Sequence, residues 1–294
     1  MQIAANGLAF EVEDHGPASG EPLLLVMGLG MQLVAWHPDF VAMLVARGFR
    51  VIRFDNRDIG LSQRLDHLGV PNLAIDSLRY AVGMKVPAPY TVADMADDTA
   101  ALIAALGLEA AHICGASMGG MIAQQLAVRH PKRVKSLTLI MTSSGARRLP
   151  GPTLKVRSAL ISRPADARHP DSVIAHYVRL YKLIGSPGYP ATDAYLHERM
   201  GLAVRRSYRP QGAARQMVAI AADGDRSALL ARITVPTQIV HGQADPLVPV
   251  AAAHDLKAKI DGAQLDLISG MGHDLPHELW PRFVSAIATA AGRG

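Results

Sequence analysis

The sequence predicts an α/β fold in which a mostly parallel central sheet is flanked by helices. Two observations carry this. Short apolar runs alternate with segments of helical period on both flanks of the chain, and those runs are apolar throughout rather than at every second residue. A strand buried on both faces needs apolar side chains on both sides, and helices crossing between parallel strands supply the cover. A third observation is that the alternation stops from 145 to 212, where prolines recur at 150, 152, 164, 170, 187, 190 and 210. That stretch is too long for a loop and too fragmented for an independent domain, so a helical cap inserted into one core is expected. The expected division is a core of 1–144 and 213–294 with a cap of 145–212.

Taken in order, QIAANGLAFEV places two alternating runs around Asn6-Gly7, the signature of a tight hairpin. PLLLVMG reads as a buried strand, being too short for a helix and ending at glycine. In HPDFVAMLVARGF, Phe40, Val41, Leu44 and Val45 recur at helical spacing and Gly48 supplies the stop. FRVIRFDNR returns to strand. Thr91 and Asp94 form a capping pair that opens the helix TVADMADDTAALIAAL, which Gly107 closes before the strand AAHICG. The helix MIAQQLAVRH runs to Pro131, and the strand SLTLIMTSS follows. Within the cap, DSVIAHYVRLYKLI and TDAYLHERMGLAV read as helices. Beyond it come the strand TVPTQIVHG, the helix AAAHDLKAKI, the strand AQLDLISG and the closing helix ELWPRFVSAIATAA.

Composition narrows the function. At 294 residues, with 49% hydrophobic and 19% charged residues, the chain can bury a sizeable core. The formal charge of +5 is spread in scattered pairs such as Arg147-Arg148 and Arg205-Arg206, and aromatics make up 5%, so a basic solvated surface is expected rather than a nucleic-acid partner. No apolar stretch is long enough for a membrane span, the N-terminus lacks a secretory pattern, and the single cysteine, Cys114, excludes an internal disulfide. These features lead to the expectation of a cytoplasmic protein.

The chemistry centres on GASMGG, from Gly115 to Gly120. Glycine and serine are poor choices at the start of a helix unless the junction itself has a purpose. Ser117 stands between a strand and a helix, the context in which G-x-S-x-G forms a nucleophile elbow. Tight packing of a glycine-rich helix start is the plain alternative; a phosphate cradle lacks G-x-G-x-x-G or G-K-[ST]. A serine hydroxyl needs a base held by a carboxylate, here in the chain order serine, acid, histidine, each following a strand. Asp245 in HGQADPLVP and His273 in SGMGHDLP occupy those places. Alone, Asp245 could start a turn and His273 could be an ordinary loop histidine. Of the other histidines, His112 and His241 lie in or beside strands, His37 begins a helix, and His277 is the runner-up base. His273 and His277 also share an H-x-x-x-H spacing, with no third metal ligand suggested. An oxyanion needs two backbone donors, and the N–H groups of Met118 and of Leu29, in MGLGM, fit the fold positions.

The segments LLLVMGLG, RFDNRDIGLS, ICGASMGGMIAQQLAVRHPKRVKSLTLI, VPTQIVHGQADPLVP and GMGHDLP together resemble the alpha/beta-hydrolase superfamily, in its cap-bearing serine esterase branch, similar to the aclacinomycin methylesterase-like proteins. Two departures stand out. Met27 occupies a place where the superfamily often has histidine, so the loop must be held some other way. Asp58 occupies a usual glycine position, and a different bend is expected because aspartate adopts left-handed angles less readily. Asp55 and Arg57 are assigned to structure. The resemblance implies a serine carboxylesterase with no cofactor and no metal, acting on a small-molecule ester with apolar acyl or alkyl groups. The same triad also serves C–C bond hydrolases, lactonases and cofactor-free haloperoxidases or perhydrolases, and the fold sometimes serves as a ligand receptor. The oligomeric state, homo-oligomer or monomer, stays open.

Overall fold

The computed structural model describes residues 1–292. An 8-stranded sheet runs through it in the order β1-β2-β4-β3-β5-β6-β7-β8. Strands β1 (Gln2–Ala5) and β2 (Leu8–His15) form the expected hairpin, with Ala5 opposite Leu8 across Asn6-Gly7. β2 pairs antiparallel with β4 (Phe49–Phe54), and every later pairing is parallel: β3 (Glu21–Val26), β5 (Ala111–Ala116), β6 (Val134–Ile140), β7 (Thr237–Gly242) and β8 (Gln264–Ile268).

The continuous apolar runs have the physical reason expected of them. In β3, Leu24 and Val26 pack into one core and Leu23 and Leu25 into the other, on opposite faces of the sheet. The first core is closed by helices α3 (Val92–Ala105), α4 (Met118–Arg129) and α10 (Ala251–Lys259). The second is closed by α1 (Pro38–Ala46) and α11 (Trp280–Ala290). Thr91 and Asp94 form the reciprocal capping box read from the sequence. Among the helices with no counterpart in the sequence reading is α2 (Leu73–Ala81), which starts where the Asn72 side chain accepts the Ile75 N–H.

Four helices occupy most of the span between β6 and β7: α5 (Leu154–Ile161), α6 (Pro170–Ile184), α7 (Asp193–Arg206) and α8 (Pro210–Asp223), followed by the single turn α9 (Ser227–Leu230). α6 and α7 share a small core of Ile174, Val178, Leu196 and Met200, separate from the sheet cores. Residue 212 lies within α8, whose later residues Val218 and Ala219 are buried. Among the described residues, no helix is long and apolar enough to cross a membrane.

The strand order fixes where a ligand can sit. From β3 the chain leaves through α1 to β4 on one side, then returns through α3 to β5 on the other side of β3. The loops following β3 and β5 therefore part toward opposite faces, leaving a crevice at the carboxyl ends of these neighbouring strands.

Candidate active site

Ser117 sits in that crevice, at the junction of β5 and α4, with φ 56° and ψ −119°. These angles are unfavourable for a side chain larger than hydrogen and mark a strained turn. The surroundings hold it there. The Ser117 N–H donates to Ile140 O at 2.9 Å, and Thr142 Oγ1 donates to Ser117 O at 2.7 Å. Immediately after it, α4 passes so close to β3 that a Cβ on Gly119 would lie 2.0 Å from Val26 O. The glycine is the condition for the helix to start at this point.

The structure brings Ser117, His273 and Asp245 together. His273 Nε2 lies 3.0 Å from Ser117 Oγ across 156 residues of sequence, and His273 Nδ1 lies 2.7 Å from Asp245 Oδ2. Because the carboxylate only accepts, Nδ1 carries the proton and Nε2 is left to accept from the serine hydroxyl. Asp245 is oriented in turn: its Oδ1 accepts the N–H groups of Leu247 and Val248, each at 2.8 Å. Both Asp245 and His273 are buried.

The other histidines go elsewhere. His277 is largely exposed beside Glu278, and His112 pairs with Ser136 Oγ at 2.8 Å. His241 is buried beneath the acid, its Nε2–H donating to Val248 O at 2.8 Å, and burial holds its imidazole below the ordinary range. His37 caps α1, accepting the Asp39 N–H.

The loop Met27–Met31 lies against the serine; a Cβ on Gly28 would stand 3.1 Å from Ser117 Cβ. Among the hydrogen bonds of the described residues, neither the Leu29 N–H nor the Met118 N–H is used by another protein group. Met118 is the first residue of α4, so its N–H is one of those a helix start leaves over.

Sequence reasoning left open what replaces the histidine at position 27. Asn56 Nδ2 donates to Met27 O at 2.9 Å, Gly30 N–H donates to Gln216 Oε1 at 2.9 Å, and Gln216 Nε2 donates to Arg57 O at 3.0 Å. Asp55 accepts the Leu33 N–H at 2.7 Å and the Leu61 N–H at 2.8 Å and pairs with Arg206, and Arg57 pairs with Asp98, so both are structural as expected. Asp58 takes the left-handed angle a glycine would, φ 73°. Its carboxylate explains this: Arg215 of α8 grips it through two nitrogens, and Tyr90 Oη and Leu65 N–H also donate to it.

The histidine loop has a similar clamp. His273 N–H donates to Ile184 O at 2.7 Å, at the end of α6, and Gly272 N–H donates to Ser186 Oγ at 2.8 Å. Ser186 Oγ in turn donates to Asp274, whose carboxyl is pushed up by burial against the pull of those bonds. Nothing in the local pattern around Ser186, Arg215 or Gln216 identifies them, since each acts on a loop distant in sequence. Among the described residues no group of three potential metal ligands forms.

Comparison with known proteins agrees with this architecture. Residues 21–278 match the family described as the alpha/beta hydrolase fold. The rhodomycin D methylesterase DauP of Streptomyces sp. (strain C5) is 27% identical over 94% of this chain and 92% of its own. Among solved structures, the meta-cleavage product hydrolase CumD of Pseudomonas fluorescens IP01 aligns with a TM-score of 0.76 at 21% identity, covering 99% of this chain and 97% of that one. The enol-lactonase of Burkholderia xenovorans LB400 aligns with a TM-score of 0.75 at 22% identity, covering 99% and 100%.

Proposed function

Since the chain belongs to the alpha/beta hydrolase fold family and is a hydrolase, we propose that it is a serine carboxylesterase acting through Ser117, His273 and Asp245. The observation that carries the reading is the continuous relay from Ser117 Oγ to His273 at 3.0 Å and from His273 to Asp245 at 2.7 Å. Ser117 Oγ attacks the ester carbonyl carbon while its proton passes to His273 Nε2. Asp245 stabilises the imidazolium that forms. The carbonyl oxygen, now carrying the negative charge, receives hydrogen bonds from the Leu29 and Met118 N–H groups. Collapse of the tetrahedral intermediate breaks the bond to the alcohol oxygen, which takes the proton from His273. Water then attacks the acyl-enzyme with His273 again as base, releasing the acid and restoring Ser117. The sequence requires no cofactor.

The substrate in this reading is a small ester with apolar acyl or alkyl groups, and the insert of 145–212 covers the site as a cap. A methylesterase spanning nearly the whole chain favours the ester over the lactone and C–C bond readings, because the structures of those enzymes share little more than the fold with this chain. The test is Ser117→Ala, assayed on nitrophenyl esters of increasing acyl length, a lactone and a diketone. Ester turnover should fall by about 10⁶-fold, in line with loss of such a nucleophile, and labelling by a fluorophosphonate should vanish. A wild-type protein that the probe does not label would instead indicate a receptor.

A further inference from the structure

The geometry points to Gln216, on helix α8, as the positioning residue that aims the oxyanion donor of Leu29. The inference rests on the esterase reading above and adds a residue that touches neither substrate nor triad.

The problem Gln216 solves is one of backbone freedom. Leu29 stands between Gly28 and Gly30, and glycine leaves the chain more conformations than any other residue. A donor on such a segment gains little for catalysis unless its direction is fixed before the charge develops, because reorienting it during reaction forfeits the advantage. Two bonds bracket the segment. Asn56 holds Met27 O at 2.9 Å on one side of the Gly28–Leu29 unit, and Gln216 holds the Gly30 N–H at 2.9 Å on the other. Both fasten to the same turn, since Gln216 returns its own N–H to Arg57 O at 3.0 Å. Gln216 is 0% exposed, so water cannot substitute for either bond.

A purely architectural role, joining α8 to the core, does not account for the side chain. α8 already has its anchor. Arg215 bonds Asp58, Asp66 and Gly69, and Gly212 packs so tightly that a Cβ there would lie 2.1 Å from Asp58 O. What Gln216 adds is a bond to the loop that faces Ser117.

The test compares Gln216→Leu, Gln216→Glu and Ser117→Ala for folding, ester turnover and fluorophosphonate labelling. The leucine variant should lower kcat by about 10²-fold, the scale of one misdirected oxyanion donor, with KM nearly unchanged because ground-state binding is untouched. It should still label at Ser117, more slowly. The glutamate variant, whose carboxyl burial holds protonated, retains both an acceptor for the Gly30 N–H and an O–H donor toward Arg57 O, and should recover most of the lost kcat. A structural role would lower stability without this split or this rescue. Wild-type kcat in Gln216→Leu, beside an inactive Ser117→Ala, overturns the role of Gln216 alone; full turnover in Ser117→Ala overturns the esterase reading and this inference with it. If the leucine variant does not fold, hydrogen exchange in the wild-type protein decides: the Gly30 amide should be strongly protected, and exchange at the rate of a free loop overturns the inference.

Discussion

At the scale of single residues, the relay depends on which nitrogen of His273 carries the proton. Asp245 holds that proton on Nδ1 through a 2.7 Å contact, and two backbone N–H groups hold Asp245 in turn. Replacing the carboxylate by an amide leaves the shape and reverses the preference, since the amide nitrogen would donate toward Nδ1 and displace the proton to Nε2. Asp245→Asn should therefore fold normally and lose about 10⁴-fold in kcat, as in other triads where the tautomer is disturbed; kcat on a nitrophenyl ester, measured with a thermal melt, checks both halves. These three side chains were legible in the sequence because each follows a strand in the order the elbow demands. Asp58 was not. Nothing near it in sequence announces that Arg215, 157 positions away, supplies the charge that makes an aspartate acceptable at φ 73°.

Among the elements, α4 shows how little tolerance the elbow has. Its first turn lies against the end of β3, and the space at Gly119 is already filled by the Val26 carbonyl. A methyl group there must push β3 and α4 apart. Gly119→Ala should cost about 3 kcal/mol or more, at the upper end for single substitutions, read as a lowered urea midpoint, and ester turnover should fall with it as Ser117 leaves its place. The strands and flanking helices were readable from periodicity, because burial on two faces or one imprints a pattern on consecutive residues. α2 was missed for another reason: it is short, and most of its apolar residues, including Ile75 and Leu78, are exposed rather than packed into a core. Within the insert the two longest helices were readable from the same apolar spacing that builds the α6–α7 core.

Over the whole molecule, the buried pair of Arg215 and Asp58 joins helix α8 to the turn after β4, with side chains 0% and 1% exposed. Burial alone would raise the Asp58 carboxyl, but the bonds from Arg215 and Leu65, the arginine charge and Tyr90 together hold it below the ordinary carboxylate range. A carboxyl lowered on folding contributes stability that is present above its unfolded pKa and lost as pH falls through the folded one. Asp58→Asn, which also tolerates the left-handed angle, removes that contribution and leaves the buried Arg215 with only the half-exposed Asp66 as countercharge. At neutral pH it should cost about 3–5 kcal/mol, and the gap from wild type should close as the medium is acidified through and below the carboxylate range. Urea unfolding of both proteins across that range tests the sign; a gap independent of pH would mean that the pair is not ionic.

The ties from Ile184 and Ser186 to the histidine loop, and from Arg215 and Gln216 to the loops after β4 and β3, bear on how new specificities can be engineered into this scaffold. Helices transplanted from a relative into the span between β6 and β7 also remove the fasteners of three loops on the sheet beneath. A chimera that exchanges α5 and the outward side of α6 while retaining residues 184–186 and 206–216 keeps those fasteners, whereas a wholesale swap of everything between β6 and β7 trades one selectivity for an enzyme that has lost its alignment.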